Sequence, residues 1–97
     1  MSVRAIRWTA RALRRLDAIG ANIASDNPAA AARVVARIVA ALGRLPQFPA
    51  SGRPGRIAGT RELVFADIPY VAAYRVASET IEVLTVMHAA QKWPERL

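Results

Sequence analysis

The 97-residue chain contains no cysteine, which excludes disulfides, thiolate metal sites and a cysteine nucleophile. It has one histidine, so no pair of imidazoles is available to a metal, and neither metal nor other cofactor is expected. There is no phosphate-binding glycine loop, and no serine sits in a nucleophile elbow. No apolar run approaches the roughly 20 residues of a membrane span. The opening residues Arg4, Ile6, Arg7 and Trp8 do not read as a signal peptide, so the cytoplasm is the expected location. Acidic residues are scarce as well: seven Asp and Glu stand against fourteen Lys and Arg, for a formal charge of +7. Such a field attracts nucleic acid, ribosomes or an acidic protein partner. An arginine-rich composition inherited from a GC-rich genome is the competing explanation.

What the chain does have is apolar substance, 54% hydrophobic against 22% charged residues. That balance predicts one folded domain over residues 1–97. A domain of this size buries about two thirds of its unfolded surface without staples. Val3 to Trp8 predicts a short strand, with Arg4, Ile6 and Trp8 on one side and Val3, Ala5 and Arg7 on the other. Thr9 suits a helix N-cap. Ala12, Leu13, Leu16, Ile19 and Ile23 then recur at the spacing of a buried helical stripe between Ala10 and Ser25. Asp26-Asn27-Pro28 stops one helix and starts another, because Asn27 caps and Pro28 fits the first helical position. The second helix is expected to run to about Leu45, burying Ala31, Val34, Val35, Ile38, Leu42 and Leu45. Arg33, Arg37 and Arg44 would form a basic stripe on its opposite side.

Pro46 to Gly59 reads as the one long loop, carrying Arg53 and Arg56. Three strands follow in quick succession: Thr60 to Ala66, Tyr70 to Val76 and Thr80 to Met87, joined by connections that imply an antiparallel meander. The order strand-helix-helix-strand-strand-strand predicts a two-layer α+β fold, an antiparallel sheet packed on a helical hairpin. The run Ile81 to His88 is apolar on both faces, as befits a central strand. Strict alternation puts Glu82, Leu84, Val86 and His88 on one face and Ile81, Val83, Thr85 and Met87 on the other. The helices can cover only one of these faces, so something else, a second molecule being one candidate, is expected to cover part of the other.

Chemistry has few candidates. His88 offers a group that titrates near neutrality, as acid or base on an RNA 2′-hydroxyl or 5′-oxygen requires; a hydrogen-bonded structural role is the alternative. Arg61 and Glu62 are adjacent on a strand and point to opposite faces, so if Glu62 joins His88, Arg61 does not. Arg53 and Arg56 could fork onto phosphate or merely solubilise their loop. Tyr70, Tyr74 and Trp93 could stack on bases or belong to the core.

Five segments taken together are familiar in their order: Gly52-Arg53-Pro54-Gly55-Arg56, Gly59-Thr60-Arg61-Glu62-Leu63-Val64, Pro69-Tyr70-Val71-Ala72-Ala73-Tyr74-Arg75-Val76, Ile81-Glu82-Val83-Leu84 running on to His88, and Gln91-Lys92-Trp93-Pro94. With Asp26-Asn27-Pro28 and its alanine-rich helix, the chain resembles the RelE/ParE superfamily of toxins from bacterial type II toxin-antitoxin modules. The resemblance implies an N-terminal strand beside the last strand. It also implies a cognate antitoxin as partner, wrapping the toxin in a hetero-oligomer and covering apolar and basic surface.

The superfamily divides by mechanism. ParE-like members poison DNA gyrase, whereas RelE-like members cut mRNA on the ribosome without a metal. RelE-like nucleases carry an arginine where this chain has Val71, and lysines where it has Glu62 and Val64. Of that nuclease set, only His88, Glu62 and a displaced arginine, Arg61 or Arg75, could substitute here, and Arg61 only if a bulge turns it to the face of Glu62. Arg53, Arg56, Arg75 and Lys92 are the expected contacts to a nucleic-acid or protein target. The missing arginine favours gyrase inhibition, with ribosome-dependent cleavage as the alternative and a non-toxic basic nucleic-acid-binding module as a third reading.

Overall fold

A computed structural model describes residues 4–97. Its first strand, β1, spans Ala5–Trp8; the expected start at Val3 lies outside the described residues. Thr9 then caps α1 (Ala10–Ala24), its hydroxyl accepting from the amide of Ala12. Ala12 and Leu16 are buried, but Leu13 is 49% exposed and falls off the expected stripe. The second helix, α2 (Pro28–Leu42), begins as the Asn27-Pro28 pair dictates, Asn27 Oδ1 accepting from the Ala30 amide. It stops three residues before the expected Leu45, with Gly43 at its C-cap. Leu45 is still buried, because the turn that follows tucks it under the hairpin.

The loop after α2 contains a strand that the sequence pattern hides. Arg53–Pro54 forms β2 and pairs antiparallel with β3 (Arg61–Val64). Two residues, one of them proline, leave no alternation to read, and proline is tolerated because this strand lies at the sheet edge. β4 (Tyr70–Val76) and β5 (Thr80–His88) complete the meander. The strand order is β1-β5-β4-β3-β2, so β5 is interior as expected. The sheet is antiparallel from β2 to β5, but β1 runs parallel to β5, which makes the whole sheet mixed.

The expected alternation along β5 fails at one point. Ala73 pairs with Thr85, yet Tyr74 pairs with Val83, leaving Leu84 as an extra residue in a β-bulge. A bulge reverses the facing of everything beyond it. The core under the helices therefore takes Ile81, Val83 and Val86 from β5, together with Ala72 and Tyr74 from β4 and Ile38 and Leu42 from α2. Full burial of Ile38 or Leu42 contributes about 2 kcal/mol each.

Tyr74 ties the long loop to this core. Its hydroxyl donates to the Pro49 carbonyl at 2.7 Å and accepts from the Gly52 amide at 2.8 Å. Gly52 is required there, since a Cβ would lie 2.7 Å from the Tyr74 ring. Burial pushes the Tyr74 phenol up, against smaller opposing effects of the Gly52 amide and Arg61. Tyr74 is thus a core residue whose hydroxyl is fully used, not a base-stacking platform.

The expected basic stripe on α2 is also rearranged. Arg37 forms a two-pronged pair with Asp67 and lies 4.9 Å over the Phe65 ring, and Arg44 lies 5.6 Å from the centre of Phe48. Arg44 lies beyond the end of α2, and it and Arg37 share a cleft with Leu63 and Phe65, so both lean over the sheet's flank rather than away from it.

Candidate functional site

The face of the sheet turned away from the helices gathers most of the charged residues of interest. Glu62 is there, with its side chain only 2% exposed. Its carboxylate accepts from Arg53 Nη2 at 3.1 Å, from the Arg56 backbone amide at 2.8 Å and from Arg56 Nε at 3.0 Å. Burial alone would raise its pKa, but the Arg56 and Arg53 hydrogen bonds outweigh that and hold the carboxyl below its ordinary range. Gly55 makes the turn possible, since a Cβ there would meet Thr60 Oγ1 at 2.2 Å. Arg56 in turn carries the Trp93 ring, its guanidinium carbon 4.0 Å from the ring centre.

A second acid on this face repeats the pattern in the open. Glu82 is paired with Arg7 of β1 and, at 3.2 Å, with Arg75 of β4, its own side chain being 22% exposed. Ala73, Thr85, Met87 and Val71 are buried on this face nonetheless. Part of the cover is the chain's own C-terminal segment: Trp93 and Pro94 share a cleft with Thr85 and Met87.

The expected nuclease residues do not converge. Glu62 pairs in register with Ala73, and Ala73 with Thr85, three residues before His88. That separation is roughly 10 Å along the strand and two strand spacings of about 4.8 Å across it. An odd number of residues also puts His88 on the opposite face from Glu62. Arg61 is on the helix side with its Nη1 donating to the Gly52 carbonyl at 2.7 Å, which makes it a loop anchor. His88 packs edge-on against Tyr70 at 5.4 Å and accepts at Nδ1 from the Ala90 amide. With Nδ1 an acceptor, the neutral ring carries its proton on Nε2. The ring lines a cleft of about 350 Å³ with Arg15, Asn22 and Gln91.

Of the four expected target contacts, Arg53, Arg56 and Arg75 are half-exposed yet engaged with Glu62 or Glu82, and Lys92 is exposed beside Trp93. Arg7 was missed by sequence reasoning, although its alternation with Ile6 and Trp8 already placed it on the outer face.

Comparison with known proteins accounts for this architecture. The family model described as ParE toxin of the type II toxin-antitoxin system parDE matches residues 6–93. The chain belongs to the ParE toxin family. This toxin is 65% identical over 97 residues to "Putative toxin Y4kP" of Sinorhizobium fredii, each chain covered in full. It is 39% identical over 84 residues to "Toxin RelE2" of Caulobacter vibrioides, covering 87% of this chain and 93% of that one. A solved chromosomal ParDE system from P. aeruginosa matches with a TM-score of 0.80 and 29% identity, over 89% of this toxin and 96% of that chain. The RelBE2 toxin-antitoxin complex of Mycobacterium tuberculosis gives a TM-score of 0.64 and 27% identity, over 90% and 99%. The protein is thus a toxin of a type II toxin-antitoxin system. No helix among the described residues is long and apolar enough to cross a membrane.

Proposed function

We propose that this toxin arrests growth by binding and inhibiting DNA gyrase in the cytoplasm, and that a cognate antitoxin, acidic where it meets the toxin, neutralises it. The observation that carries the reading is the commitment of Glu62 to Arg53 and Arg56 on the face opposite His88. A ribonuclease needs a proton acceptor and donor around one phosphate. Here the carboxylate, the imidazole and Arg61 have three separate structural partners. Val71, where a RelE-like nuclease would carry arginine, is buried. Exposed Phe48 beside Arg37 and Arg44 supplies the mixed apolar and basic surface that an acidic antitoxin segment would cover.

The test is to measure gyrase supercoiling and ribosome-dependent mRNA cleavage on one preparation of the toxin. Inhibition of supercoiling without codon-phased cuts is expected, and antitoxin should reverse it. Unimpaired gyrase at saturating toxin rejects the reading. One observation favours the nuclease alternative: His88 lines a cleft shared with Arg15. If cleavage is found and His88→Ala abolishes it in a folded protein, the mechanism is RelE-like. A small acidic protein encoded immediately upstream is the expected antitoxin.

A further inference from the structure

β1 ends at Trp8 while β5 continues to His88, so the end of β5 has no strand on that side. The N-terminal half of α1 and the C-terminal segment close the gap, leaving a cleft of about 600 Å³. This volume lies within the range of about 300–1,000 Å³ typical of small-ligand sites. Its floor is Thr85 and Met87, one wall is Trp93, and Arg11, Arg15 and Lys92 stand at its rim. Arg11 and Arg15 are one helical turn apart and face the same space. None of these three cations has a carboxylate partner within 4.0 Å among the described residues, so their charge is not neutralised within the cleft. Arg15 donates only to the neutral Gln91, at 3.0 Å. Glu95 is the single acid in the lining.

Trp93 is held as a platform. One side of the ring rests on Arg56, and Arg56 is fixed by its hydrogen bonds to the buried Glu62. The indole Nε1 is enclosed and has no hydrogen-bond partner, alone in this respect among the buried side-chain polar atoms of the described residues. An enclosed donor without an acceptor is unfavourable, so the indole is held in place by packing and by Arg56 rather than by a hydrogen bond.

We propose that this cleft binds a nucleoside phosphate, the base stacked on Trp93 above Met87 and the phosphate held by Arg11, Arg15 and Lys92. Converging cations match the multiple oxygens and near-double charge of a phosphate better than a single peptide carboxylate. The apolar floor and aromatic wall match a base rather than free phosphate. The source is either a free nucleotide or an exposed end of a nucleic-acid strand, and both present the same chemistry. Arg56 and Glu62 act as positioning residues for Trp93. The site is independent of whether gyrase or the ribosome is the target.

The experiment uses the full chain carrying Trp8→Phe, so that Trp93 is the only indole reporter. Its fluorescence is titrated with AMP, GMP, inorganic phosphate, a 5′-phosphorylated DNA tetranucleotide, the matching RNA and a poly-glutamate peptide. Saturable quenching by nucleotide or tetranucleotide is expected, with inorganic phosphate competing at least tenfold more weakly. The stronger of the mononucleotide and the two strands identifies the source. Arg11→Ala with Arg15→Ala should weaken binding at least tenfold, and Lys92→Ala severalfold. Arg33→Ala, on the exposed face of α2, should change it less than twofold. Loss of Trp93 stacking in Trp93→Leu, followed by competition against a labelled tetranucleotide, should cost about tenfold. Circular dichroism verifies that each variant is folded. Equal losses in Arg33→Ala, quenching by poly-glutamate as strong as by nucleotide, or no saturation with any nucleotide or strand would each overturn the proposal.

Discussion

The outer face of the sheet carries two acids, each gripped by two arginines, and the two clusters differ in one respect. Glu62 is sealed between β3, β2 and the following loop, whereas Glu82 remains partly open between Arg7 and Arg75. The same chemical trio therefore does different work. In the sealed cluster the arginines compensate a buried charge, and removing one leaves that charge short of partners. In the open cluster water competes for every group, so the pairs add little stability and the arginines are available to other anions. A surface contact made by Arg75 or Arg7 costs the fold little; one made by Arg56 would disturb Glu62 and Trp93 together.

The strongest challenge to this contrast is Arg56→Ala. It leaves Glu62 with Arg53 alone and unseats Trp93, and the expected loss is about 2–3 kcal/mol in urea unfolding, the half-exposed arginine and water entry keeping it at or below the lower bound of about 3 kcal/mol for broken buried pairs. A loss under about 0.5 kcal/mol would mean that Glu62 is not sealed. Glu62→Gln should cost less, about 1–2 kcal/mol, because it removes the buried charge as well as its bonds.

Acid provides a sharper comparison through the same variant. The folded pKa of Glu62 lies below its unfolded one, so its contribution is complete above the unfolded pKa, about 4.3, and fades as pH falls through the folded value. The urea midpoint of the native protein should therefore drop below about pH 4, and Glu62→Gln should flatten that drop. Asp67, held low first by its hydrogen bond to Arg37, acts in the same direction from an exposed position and accounts for a residual slope. Glu82→Gln is the smallest expected effect, under about 1 kcal/mol. Raising salt to about 1 M, where the screening length is near 3 Å, should erase it while leaving the Arg56→Ala effect in place. If Glu82→Gln instead proves as costly as Glu62→Gln, exposure is not what separates the clusters.

Much of this arrangement was legible in the residues. Asn27-Pro28 marked the restart between helices, Thr9 the first cap, and the run from Tyr70 to Val76 coincides with β4. The opposite facing of Arg61 and Glu62 followed from strand geometry alone and held. What stayed hidden was non-local. A two-residue strand has no period; the Leu84 bulge is defined only by the partner strand; and the parallel direction of β1 depends on where the hairpin returns the chain. Glu62 read as a possible catalyst because nothing local shows that Arg53 and Arg56 turn back onto it. Trp93 was noticed as a stacking candidate, but its seat on Arg56 depends on a segment with no regular structure.

The pairing of β1 with β5 also bears on how the molecule comes into being. Thr9 and Leu84 hydrogen-bond across 75 residues of sequence, and among the described residues β1 pairs only with β5, far later in the chain. The helical hairpin, whose contacts are local, can assemble while the sheet still lacks its centre. Closure must then meet the entropy of joining distant segments, which places the step that completes the outer face late and makes it slow relative to helix formation. A chain built in this order has its helical hairpin before its outer face is whole, so anything that recognises that face must wait for β5 to arrive.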